Sequence, residues 1–145
     1  MAIRIERNHL PRIGPAIHKA LVAVVPRQLQ GIIDAAAPLT PVLTSSLVKS
    51  PYLLTTAEST YGEAVAASQG VNPKVEILPE VERPTHDTQG IVAWAAAHAQ
   101  EIEMGGSRKA PQGFAVPAVE SQRPEFVKAV AGAVRAGAKQ GANGR

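Results

Sequence analysis

Ile13, Ile17, Leu21, Val24, Leu29, Ile32, Ile33 and Ala36 recur at helical spacing, and His18, Lys19, Arg27, Gln30 and Asp34 fill much of the remainder. This pattern predicts an amphipathic helix over about residues 11–36. Pro11 and Pro15 are tolerated near its start. Pro26 falls inside, removes one hydrogen bond and crowds the carbonyl of Val22, which predicts a kink or a break.

Pro38 and Pro41 end this helix, and Thr44, Ser45 and Ser46 continue a polar loop. The β-branched, aromatic and leucine-rich run from Leu47 to Thr56 predicts a strand, which Pro51 confines to an edge or a bulge. Tyr61 to Ser68 and Lys74 to Val81 read as two further strands, with Gly70, Asn72 and Pro73 as the turn between them. Residues 91–104 read as an Ala-rich helix stopped by Gly105 and Gly106. Past a loop with Ser107, Arg108, Lys109, Pro111 and Gly113, Pro124 fits a first helical turn. Val127, Val130, Ala131, Val134 and Ala138 then stripe a last helix to about residue 140. Gly132 and Gly137 weaken it by about 1 kcal/mol each relative to Ala.

The expected fold is α+β: an N-terminal amphipathic helix, a small antiparallel sheet, a short Ala-rich helix and a C-terminal helix. Its 145 residues suit one domain over 1–145, with flexible ends at about 1–9 and 141–145. Hydrophobic residues make up 45% but aromatics only 3%, so the core is built from small side chains that each bury little area. Part of the stability is therefore expected to come from assembly with other copies.

A formal charge of +3 is mild for a nucleic-acid binder, and the lack of cysteine excludes disulfides, thiolate zinc sites and cysteine nucleophiles. Charges at Arg4, Glu6, Arg7 and Arg12 exclude a secretory signal over the first residues, and no run reaches the ~20 apolar residues of a membrane span. A soluble intracellular product with no membrane partner is expected.

Little points to catalysis. None of His9, His18, His86 and His98 stands in an HExxH spacing, and the His98, Glu101 and Glu103 group reads as a solvated helix face. His86 and Asp87 lie in a turn-like segment that suits local hydrogen bonding. Ser45 and Ser46 lack a GxSxG context, and GGSRK at 105–109 lacks phosphate-loop spacing. No enzyme activity, cofactor or metal is expected. After Glu125 the chain carries Lys128, Arg135, Lys139 and Arg145 with no acidic residue. Lys128, Arg135 and Lys139 fall within about 40° on a helix. They are either a phosphate-tracking, DNA-facing stripe or cations complementing a helix C-terminus.

Three ordered segments resemble the tail-completion (head–tail joining) family of long-tailed bacteriophages. Members read P-V-x-T-G-x-L-x-x-S, then Y-A-x-x-V-E-x-G, then P-F-L-x-P-A before a final helix. Pro41-Val42-Leu43-Thr44-Ser45-Ser46-Leu47-Val48-Lys49-Ser50 keeps the first spacing, with Ser45 in place of Gly. His98-Ala99-Gln100-Glu101-Ile102-Glu103-Met104-Gly105 matches the second with His98 in place of Tyr, and Gly113-Phe114-Ala115-Val116-Pro117-Ala118 the third. With the flanking helices, the resemblance covers about residues 10–140.

The resemblance implies a structural virion protein. It would assemble in the host cytoplasm into a homo-oligomeric ring, a hexamer, between the connector or stopper and the major tail tube protein, with DNA passing through its lumen. Pro41, Thr44, Ser45, Leu47, Glu103, Gly105, Arg108, Lys109, Phe114 and Pro117 are the candidate contacts between subunits or rings, carried on loops 38–46 and 105–117. A nucleic-acid-binding module using the basic C-terminal helix is the alternative reading.

Overall fold

The computed structural model describes residues 1–5, 14–41, 45–106 and 111–143. The first amphipathic pattern forms helix α1 (Pro15–Ala36), which starts at a proline and buries Leu21, Leu29, Ile32 and Ala36 along one stripe. The start expected at Pro11 lies outside the described residues. The helix continues through Pro26 without the break its ring chemistry suggested. A 3₁₀ turn over Ala37–Leu39 closes it, and the Thr40 hydroxyl donates back to the Ala36 carbonyl at 2.8 Å.

The small antiparallel sheet is present, and of its three strands only β2 falls where a strand is expected. Strand β1 (Ala2–Ile5) occupies part of the end expected to be flexible. Residues 45–48, partly assigned to a strand, form the helical turn α2 (Ser45–Val48), and strand β2 (Pro51–Leu54) follows. The Ala-rich run divides into strand β3 (Gly90–Trp94) and the short helix α4 (Ala99–Met104). The strand order is β1-β3-β2, both pairs antiparallel, so β2 does lie at an edge with Pro51 as its first residue.

The expected strand at 61–68 is instead helix α3 (Tyr61–Val71). Its buried residues, Ala64 and Ser68, are four apart, and its remaining positions include good helix formers, so the aromatic and valine content misled. The segment 74–81 is extended but makes only an isolated bridge between Ile77 and Ala96, among the described residues. Asn72 makes the expected turn, its side-chain oxygen accepting from the Lys74 N–H at 3.1 Å.

Every residue of β3 is buried, because both faces of the sheet are covered. On one face Leu53, Val92 and Trp94 pack against Leu29, Ile32 and Ala36 of α1 and against Phe114, Ala115 and Ala118. On the other, Tyr52, Leu54, Ile91, Ala93 and Ala95 meet Ala64, Tyr61, Val65, Ile77 and Val81. Each face holds one edge-to-face aromatic pair: Trp94–Phe114 at 5.3 Å and Tyr52–Tyr61 at 5.1 Å between centroids. Few aromatics thus anchor both layers.

Helix α5 (Ala115–Asn143) begins well before Pro124, which lies inside it rather than in its first turn. At 29 residues it is roughly 43 Å long. It runs antiparallel to α1: Gly31 lies against Gln122, Leu21 packs with Val130 and Ala133, and Gly137 lies on Ile17. A Cβ at Gly137 would stand 2.5 Å from the Ile17 Cα, so this glycine is a backbone-to-backbone contact.

Candidate functional site

The three motif segments meet in the main core, the first from some fifty residues away in sequence. Leu47 of the first, Ala99 of the second, and Phe114, Ala115 and Ala118 of the third belong to one buried cluster, with Leu47, Ala99 and Phe114 fully covered. Ser68 of α3 ties the first segment to the opposite layer, its hydroxyl donating to the Ser46 carbonyl at 2.7 Å.

Glu103 joins the second and third segments. Its carboxylate is 8% exposed and accepts from the backbone N–H groups of Phe114 at 2.7 Å, Ala115 at 3.0 Å and Val116 at 3.0 Å. A helix start leaves such N–H groups without partners, and its dipole favours a negative charge there. Helix α5 has no acidic residue in its own first turn, so the charge comes from α4 instead. Gly105 ends α4 with φ 81°, the positive value expected of a helix-terminating glycine. The Gln112 N–H then bonds the Ile102 carbonyl at 2.9 Å, returning the chain toward α5.

His98 stands at the start of α4, and its Nε2 is buried without a hydrogen-bond partner among the described residues. Desolvation lowers its pKa below the ordinary 6.5, opposed by the nearby Glu101 carboxylate. Asp87 does not bond locally as expected; its carboxylate meets His18 Nε2 on α1 at 2.7 Å. His86 keeps a local bond, its N–H reaching the Gln89 side-chain oxygen at 3.4 Å.

Of the contact candidates, Leu47, Glu103 and Phe114 point inward and hold the fold within one chain. Ser45 and Pro117 are exposed, and Pro41 and Gly105 are half-buried. Thr44, Arg108 and Lys109 lie outside the described residues. Two outward residues escaped the sequence reading: Met104, 69% exposed, and Val116, 53% exposed, on either side of the Glu103 clasp.

Lys128, Arg135 and Lys139 are all exposed on α5. Lys128 approaches Glu125 at 3.9 Å with both side chains largely in solvent, a pairing worth little. The Arg135 Nε donates to the Ala131 carbonyl at 3.3 Å. Across the sheet, the layer over residues 58–83 carries Glu58, Glu63, Glu76, Glu80 and Glu82 against Lys74 and Arg83, all exposed.

Among the described residues no three His, Asp or Glu side chains converge as a metal site, and no helix is long and apolar enough to cross a membrane. An apolar cavity of about 20 Å³ between Leu21, Val25, Leu29, Gly90, Phe126 and Val130 has room for about one water. A scan against family models and searches of curated proteins and solved structures returned no match to the chain.

Proposed function

We propose that this chain is a non-enzymatic structural subunit of the head–tail junction of a long-tailed bacteriophage, of the tail-completion type. In this reading, copies close into a ring between the head connector or stopper and the tail tube. The observation that carries it is the convergence of the three family-like segments on one buried cluster, clasped by Glu103. The motif segments also expose Met104, Val116, Ser45 and Pro117, apolar and polar side chains of the kinds that a neighbouring ring would meet.

Ring closure needs heterologous contacts, in which one face of a subunit meets a different face of the next. The test is functional and morphological. Disrupting the gene in its phage or prophage should leave full heads and finished tails unjoined in negative stain, and the purified protein should restore joining. Normal virions from the disrupted genome would overturn the reading. So would added protein that binds neither heads nor tails.

A further inference from the structure

The exposed face of α5 and the outer surface of the 58–83 layer lie on opposite sides of the sheet and carry opposite charge. On α5, Lys128, Arg135 and Lys139 share one side of the helix. Exposed Glu125 borders this stripe and offsets part of Lys128, which leaves the side with an excess of positive charge. On the 58–83 layer, five glutamates face two cations, and Val71 at the end of α3 is 45% exposed. Each face thus carries a charge excess of one sign, and the two signs are complementary.

We propose that these two faces dock on each other between copies of this chain, the basic side of α5 against the glutamates of the 58–83 layer of the next copy. The occupant of the α5 face is therefore a second copy, chosen by charge complementarity. Because the faces differ, the contact is head-to-tail and repeats from copy to copy until it closes or extends. This rests on the ring-subunit reading only for closure of the assembly. Glu80 also accepts from the Ser59 hydroxyl, and of the other four glutamates Glu63, Glu76 and Glu82, on α3 and the segment after it, are the ones to reverse.

Sedimentation velocity of the full chain tests this. At 50 mM NaCl the parent should associate, and at 500 mM its dissociation constant should rise by about tenfold or more, since the Debye length falls well below contact-patch dimensions. The triple variants K128E/R135E/K139E and E63K/E76K/E82K should each remain monomeric at low salt. An equimolar mixture of the two should regain association, because each reversed face then meets its complement. All six positions are exposed, and far-UV circular dichroism checks that the variants keep the parent's helix content.

A parent that stays monomeric at 50 mM NaCl overturns the proposal, as do reversed variants that associate like the parent or folded variants that fail to pair on mixing. A monomeric parent that binds duplex DNA through the α5 stripe also overturns it, in favour of nucleic acid. Charge-rescued oligomers that never join heads to tails would keep this interface and sink the phage reading. Joining activity unaffected by either triple reversal would do the opposite.

Discussion

Glu103 Oε2 lies 2.7 Å from the Phe114 backbone nitrogen, so the end of α4 holds the beginning of α5 across the intervening loop. The two residues are neighbours in space through chemistry that each helix needs. One supplies a buried carboxylate that requires donors, and the other starts a helix whose donors require an acceptor.

Replacing Glu103 with Ala should therefore destabilise the protein by about 2–3 kcal/mol, as three N–H groups lose a charged acceptor. For a chain of this size that is a fall in Tm of roughly 5–10 °C. Glu103→Gln keeps an acceptor but not the charge and should lose about half as much. Thermal melts at neutral pH decide; an Ala variant within 1 °C of the parent would show the clasp to be energetically idle.

Two glycines of α5 should respond in opposite directions to the same change. At Gly132 no atom lies within 4 Å of an added Cβ, so Gly132→Ala should raise stability by up to about 1 kcal/mol through helix propensity. At Gly137 the added carbon would meet the Ile17 Cα at 2.5 Å and the Ile17 nitrogen at 2.8 Å. Backbone cannot yield as a side-chain tip does, so Gly137→Ala should cost about 1–3 kcal/mol despite its better propensity. Urea denaturation of both variants gives the comparison, and equal effects would refute the close approach of α1 and α5.

The buried imidazole of His98 makes stability depend on acidity. Its folded pKa is depressed by desolvation, while the unfolded chain titrates near 6.5. Below about pH 6.5 the unfolded state thus binds more protons, and stability falls as pH drops through the interval down to the folded value. Above that interval its contribution no longer changes with pH. Melts of the parent and His98→Gln between pH 8 and pH 5 should diverge only on the acid side, with the parent losing more. Parallel curves would mean that Nε2 is solvated.

Helix α1 was legible because one of its faces meets solvent, which leaves the alternation of polar and apolar residues on which pattern reading depends. Strand β3 was not. With every residue from Gly90 to Trp94 buried on both faces, periodicity vanishes, and the alanines that follow bias the reading toward helix. Strand β1 is only four residues long, and the Ile3 and Ile5 alternation was too brief to weigh against charged neighbours. Helix α5 was placed too late because Pro124 looks like a starting residue, whereas the true start is capped by Glu103 from another helix. A tertiary cap leaves no local signature.

The candidate site was legible in part for the same reason. Leu47 and Phe114 were named for their motifs as contacts between copies, and both are instead buried in the cluster within one chain. Glu103 was named for its place in a motif, without the geometry that explains it. Met104 and Val116 were passed over, since an apolar residue at the end of one helix or the start of another carries no pattern of its own.

The packing of Ile17 on Gly137 also sets an order of events during synthesis. Helix α1 leaves the ribosome well before its partner helix, and β1 pairs with a strand some ninety residues downstream. Until those later segments emerge, the apolar stripe of α1 lacks its cover. Such non-local closure makes folding slow and keeps the nascent chain exposed to aggregation or to chaperones over that interval.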